Sequence, residues 1–256
     1  MAQDFSPAAA DATVTMMDSH APPLSVFSPQ ERRLIRRLDT PAGVQAFLNQ
    51  LPYNNETRPT GETLRSLRGV IRHQTAHCLE AALAAAVILE AHGYPPLVLS
   101  FESIDKLEHV LFVYRHRGRW GSIARSRDPG LHGRKPVFRT ARALAMSYFE
   151  PYLDFTGCIT AYAVVDLTKE LGSYDWRLSE NNVWKVEQML IDYPHHRLQY
   201  SRARAARWRA WYQAFKARYP DRRPVRYPGR EKWTALPPAY TKPGYQVDFP
   251  WPRASP

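Results

Sequence analysis

Cys78 opens the most apolar stretch of the chain, His77-Cys78-Leu79-Glu80 followed by an Ala/Leu-rich run through Leu89 and ending near Gly93. Ala and Leu are strong helix formers, and Gly93 suits the left-handed position just past a helix end. A thiol on the first turn of a helix feels the positive end of its dipole, which favours the thiolate. The thiolate is the nucleophilic form, so the placement suits covalent attack on a carbonyl. Further along, His109 begins the β-leaning run Glu108 to Arg115. A His base must come within about 2.6–3.2 Å of the thiol to take its proton and return it to a leaving amine. Each residue also has a plain structural explanation. Cys is a frequently buried type, and a His at a strand end often makes one main-chain hydrogen bond.

The elements around the pair set whether they can meet. Ser28-Pro29-Gln30-Glu31 is a capping-box helix start, and Thr40-Pro41 begins a second helix through Leu51, with Val44, Phe47 and Leu48 at helical spacing. Residues 52–61 read as loop, and Glu62 to Arg72 as a third helix. The Cys78 helix is apolar nearly all round, the pattern of a buried helix. After it, Leu97 to Phe101, Glu108 to Arg115 and Trp120 to Arg125 read as strands, with Arg117-Gly118 turning the last two into a hairpin. Asp128-Pro129-Gly130 marks a turn, Thr140 to Tyr152 a helix, and Ile159 to Leu167 another strand. Helices first and then a mostly antiparallel sheet is an α+β pattern.

The stretch from Thr63 to Ile123 resembles the transglutaminase-like domain of the papain-like cysteine enzymes. Thr75-Ala76-His77-Cys78-Leu79-Glu80 opens a helix that His92-Gly93-Tyr94-Pro95 closes before a strand. His109-Val-Leu-Phe-Val-Tyr is followed by Arg117-Gly118-Arg119-Trp120, and Val44 to Tyr53 is similar to the helix and loop that precede the family's core. About residues 35–150 are covered. The resemblance implies a papain-like α+β core, with a buried Cys-bearing helix packed on the sheet, and a Cys-His-Asp triad. The family's acid usually stands about four residues past the Trp, and here that position is Ala124. On a strand Ser122, Ala124 and Ser126 share a face. Asp128 lies four residues beyond and reaches His109 only if the strand bends or bulges. The candidate triad is therefore Cys78, His109 and Asp128. An oxyanion hole needs the Cys78 N–H and a second donor, for which Gln74 is a candidate, with helix capping as its alternative role.

Composition limits the rest. No apolar run approaches the roughly 18 residues of a membrane span. Residues 1–24 carry acids but no Lys or Arg, so they lack the basic start of a signal peptide and read as a disordered leader. The expected location is cytoplasmic, with reduced thiols, and Cys158 reads as a small core residue. The organisation expected is a leader over 1–24, one α+β domain over 25–219 and a Pro-rich basic extension over 220–256. Of the net charge of +11, the segment Ser201–Lys232 carries +9, from eleven Lys/Arg and two acids. Its Trp208, Trp211, Tyr212, Phe215 and Tyr219 form a helical stripe that is expected to pack on the domain, while Arg with interleaved aromatics also suits nucleic acid.

His73, His77 and Cys78 lack the Glu of a zinc-protease helix, since Gln74 follows His73. No metal or cofactor is expected. His195-His196 reads as an exposed turn. The function expected is a cysteine hydrolase or acyltransferase acting on a protein or peptide carboxamide or peptide bond through a thioester. The alternatives are a catalytically silent scaffold of the same fold and a nucleic-acid binder.

Overall fold

The computed structural model describes residues 21–57, 61–103, 106–152, 158–225, 232–245 and 247–252; the leader expected over 1–24 lies almost wholly outside them. Four helices come first: α1 (Pro29–Arg37), α2 (Pro41–Gln50), α3 (Leu67–His73) and α4 (Cys78–Glu90). The sheet follows, as β1 (Leu97–Ser103), β2 (Lys106–His116), β3 (Arg119–Ile123) and β4 (Arg134–Phe138), then α5 (Ala141–Met146), β5 (Ala161–Asp166), α6 (Leu167–Leu171), α7 (Trp184–Asp192), β6 (His196–Arg197) and α8 (Arg202–Arg218). The six strands lie in the order β4-β3-β2-β1-β5-β6, and every described pairing is antiparallel. The protein is α+β.

Local chemistry accounts for most of these boundaries. Ser28 caps α1 in a full capping box. The β2–β3 hairpin turns at Arg117 (φ 49°) and Gly118 (φ 72°), two left-handed residues whose twist matches that of the strands they join. The third helix begins at Leu67 rather than at Glu62. Residues 63–65 stay extended because the Leu64 N–H donates to Asn182 Oδ1 at 3.0 Å, its carbonyl accepts from the Val183 N–H at 2.7 Å, and the Arg65 N–H donates to Glu80 Oε1 at 3.0 Å. The helix expected over 140–152 keeps its α form only through Met146. Strand β4 carries Pro136, which hides it in the sequence and which only an edge strand or a bulge tolerates.

Helix α4 is buried all round, as its composition predicts. Its Ala81, Ala82, Ala84, Ala85 and Ala86 have no exposed surface. Small side chains let α2, α3 and the sheet close on it together. One core cluster joins α4 to Val98, Val110, Phe112 and Val165. A second, with Leu99, Phe101, Leu111 and Val113, lies with Leu144, Tyr148 and Phe149 and includes Cys158. Trp176 is fully buried, whereas Trp184 at the start of α7 is 41% exposed.

The α8 stripe differs from expectation. Trp208, Trp211, Tyr212 and Phe215 form a third cluster with Tyr219, Val247, Phe249 and Trp251, so the chain's own tail covers much of the stripe. His195 also departs from the exposed turn expected of it. Its ring is buried, with Nε2 on Ser100 Oγ at 2.8 Å and Nδ1 on the Tyr193 carbonyl at 2.7 Å, because pairing of β6 with β5 folds this turn towards β1.

Candidate active site

Helix α4 starts on Cys78 because His77 and Glu80 cap it reciprocally. His77 Nδ1 accepts the Leu79 N–H at 3.2 Å, and Glu80 Oε2 accepts the His77 N–H at 3.0 Å. Glu80 has no exposed surface, yet every side of its carboxylate is occupied. Oε1 accepts from Thr63 Oγ1 at 2.9 Å and from the Arg65 N–H, while Oε2 accepts from Asn54 Nδ2 at 3.1 Å. This network fixes the first turn, leaving the thiol half-buried at the helix mouth.

His109 reaches the thiol because β3 stops short of it. The last β2–β3 pair is Phe112 with Ile123, so beyond that point β2 has lost its neighbour on that side. The His109 ring lies beside Phe101 and Tyr148 and is 2% exposed. Its Nε2 is 2.9 Å from the Leu131 carbonyl, leaving Nδ1 for sulfur. Burial raises the pKa of Cys78, but hydrogen bonding to His109 and then to His77, with the charges of the two rings, outweighs burial and holds the thiol well below its ordinary value.

Leu131 therefore stands where the sequence placed Asp128. The Asp128 carboxylate instead meets Arg223 Nη1 at 3.2 Å. The reason is local. Pro129–Leu131 form a short 3₁₀ turn that points a main-chain oxygen at the imidazole. Ala124 is held by its backbone, its N–H donating to Gln45 Oε1 and its carbonyl accepting from Gln45 Nε2, both at 2.9 Å. Ser122 is turned to Tyr148. Gln74 caps α3, with φ 53° and Nε2 donating to the Ile71 carbonyl.

A residue the sequence reading passed over lies closer. Tyr53 is tied beside α4 by a parallel bridge to Ala76, and its hydroxyl is hydrogen-bonded to the Cys78 main chain. Burial first, and then the Cys78 charge, keeps that hydroxyl protonated. Arg125 fixes the same loop, donating to the Leu51 carbonyl through Nε and Nη2.

Ser100, His195 and Glu102 form a second polar line, with Glu102 Oε1 3.3 Å from His195 Nδ1. Ser100 has no exposed surface, so this line holds strands together. Among the described residues no group of three or more His, Cys, Asp or Glu is placed to hold a metal ion, and no helix is long and apolar enough to cross a membrane.

No protein-family model matches the chain, and no curated protein does. Among solved structures it is similar to Legionella pneumophila LapG, at 14% identity and a TM-score of 0.33, over 65% of this chain and 93% of that one. Likeness at that level does not establish a shared fold, and the chemistry rests on the geometry above.

Proposed function

We propose that the chain is a transglutaminase-like, cysteine-dependent enzyme that acts on a carboxamide or peptide bond of a protein or peptide. One observation carries the reading: a thiol on the first turn of a helix is held well below its ordinary pKa by a buried imidazole whose Nε2 is fixed on the Leu131 carbonyl. Cys78 Sγ attacks the carbonyl carbon. The oxygen that gains charge takes the Tyr53 O–H, whose own oxygen is held by the Cys78 N–H before the reaction begins. His109, now imidazolium, gives its proton to the departing nitrogen as the C–N bond breaks, leaving a thioester on Cys78. Water or an amine then gives a proton to His109, attacks the thioester and releases the thiol. Leu131 performs the orienting part of a triad acid, accepting the Nε2–H, but supplies no full negative charge to the imidazolium.

That missing charge favours a second reading, a silent scaffold of the same fold. Iodoacetamide alkylation of Cys78 across pH separates the two. The enzyme reading expects Cys78 to react with a midpoint well below the roughly 8.5 of a free thiol. His109→Ala should move the midpoint up towards that value, while Asp128→Asn should leave it in place. A Cys78 that titrates like an ordinary thiol in the parent chain would sink the enzyme reading.

A further inference from the structure

We propose that the C-terminal strap Trp233–Tyr240 is a positioning element of the Cys78 site, holding in place the loop whose Leu131 carbonyl orients His109. The inference rests on the enzyme reading above. It starts from Arg134, at the head of β4, a guanidinium only 2% exposed. Nη1 donates to the His132 carbonyl at 2.5 Å and Nη2 to the Gly130 carbonyl at 2.6 Å. Those carbonyls flank Leu131, so a planar, charged fork fixes the peptide planes on either side of the oxygen that faces His109.

The loop is not held from within alone. The His132 ring is fully buried, and burial holds its pKa well below the ordinary imidazole value. Strand β4 is an edge that shares two pairs with β3 across an irregularity. The strap closes that edge. Its Trp233 carbonyl accepts the Lys135 N–H at 2.7 Å, and its Ala235 N–H donates to the Gly133 carbonyl at 3.2 Å, covering the open edge of β4. The Trp233 ring lies 5.0 Å from the Arg134 guanidinium, which Tyr148 approaches at 3.9 Å. Tyr240 donates its hydroxyl to the Arg127 carbonyl at 2.8 Å and lays its ring 5.4 Å from that of His132. Arg134, Trp233 and Tyr240 are thus positioning residues, acting on Cys78 through Leu131 and His109.

An acceptor aligned on Nε2–H stabilises the imidazolium and hence the thiolate beside it. Loosening the strap should therefore raise the alkylation midpoint of Cys78 in the full-length chain. For Tyr240→Phe the shift should be about half a unit, and for Trp233→Ala/Tyr240→Phe about one unit. Trp233→Phe, which keeps a ring over Arg134, should leave the midpoint close to that of the parent. A midpoint that stays put in the double variant, with or without a fall in melting temperature, would overturn the proposal by making the strap merely structural. Should the double variant fail to fold, Tyr240→Phe decides on the same criterion. An ordinary midpoint in the parent chain removes the enzyme reading and this inference together, whereas a low midpoint indifferent to the strap removes this inference alone.

Discussion

Two imidazoles flank one thiol, and His77 is the one with a conflict. Its Nε2 is committed to the Thr63 carbonyl at 2.9 Å, so Nδ1 must serve both the Leu79 N–H and Cys78. A neutral ring accepts from Leu79 and caps the helix; a charged ring turns an N–H towards the thiolate. Burial disfavours the charged ring, yet the Cys78 charge and Glu80 push its pKa up to about 9. A raised His pKa contributes stability that is whole below the unfolded value of about 6.5 and fades as pH rises through 9. His77→Asn keeps a competent cap but no charge. Melting temperatures of parent and variant should accordingly differ most near pH 6 and converge by pH 9, and a gap that is constant over that range would refute the charged form.

The sequence placed Cys78 and His109 through a helix start and a strand start, and the fold brings the two together. Leu131 was hidden because a main-chain oxygen carries no residue-type signature. Tyr53 was hidden because a loop aromatic says nothing of what it faces.

At the scale of elements, the first turn of α4 is the part most sensitive to substitution. Glu80 joins the loop at Asn54, the extended segment Thr63–Arg65 and the helix itself. Glu80→Gln preserves the shape but puts an NH₂ where one oxygen now accepts two donors. The result is an unsatisfied buried donor, costing about 2–4 kcal/mol. For a chain of this size that is about 6–12 °C in melting temperature, measurable by calorimetry, and a loss under 2 °C would contradict the four-donor network around Glu80. The same network explains which boundaries were legible. Capping residues and hydrophobic period announce α1, α2, α4 and the hairpin. The late start of α3 and the existence of β4 are set by partners far away in sequence, Asn182, Val183 and Trp233, which no local pattern contains.

At the scale of the molecule, the basic segment and the body divide the work. Much of the excess charge sits on α8 and the residues after it, and the α8 aromatics are turned inward. Trp208 and Trp211 lie against Trp251, and Phe215 against Phe249. Rings packed in this way are not offered for base stacking, so an anionic partner would meet the arginines alone. This cluster is separate from the two cores that carry Cys78 and His109. The strap, moreover, is fastened to β4 and the Ser126–Arg127 turn. Trp211→Ala removes a buried ring and its hydrogen bond to the Pro250 carbonyl, a loss of about 3–5 kcal/mol within the cluster. Limited proteolysis should then cut α8 and the tail faster, while the alkylation midpoint of Cys78 holds. A midpoint that moved with the tail would instead show that α8 and the strap open as one unit, and that the site depends on the whole C-terminal segment.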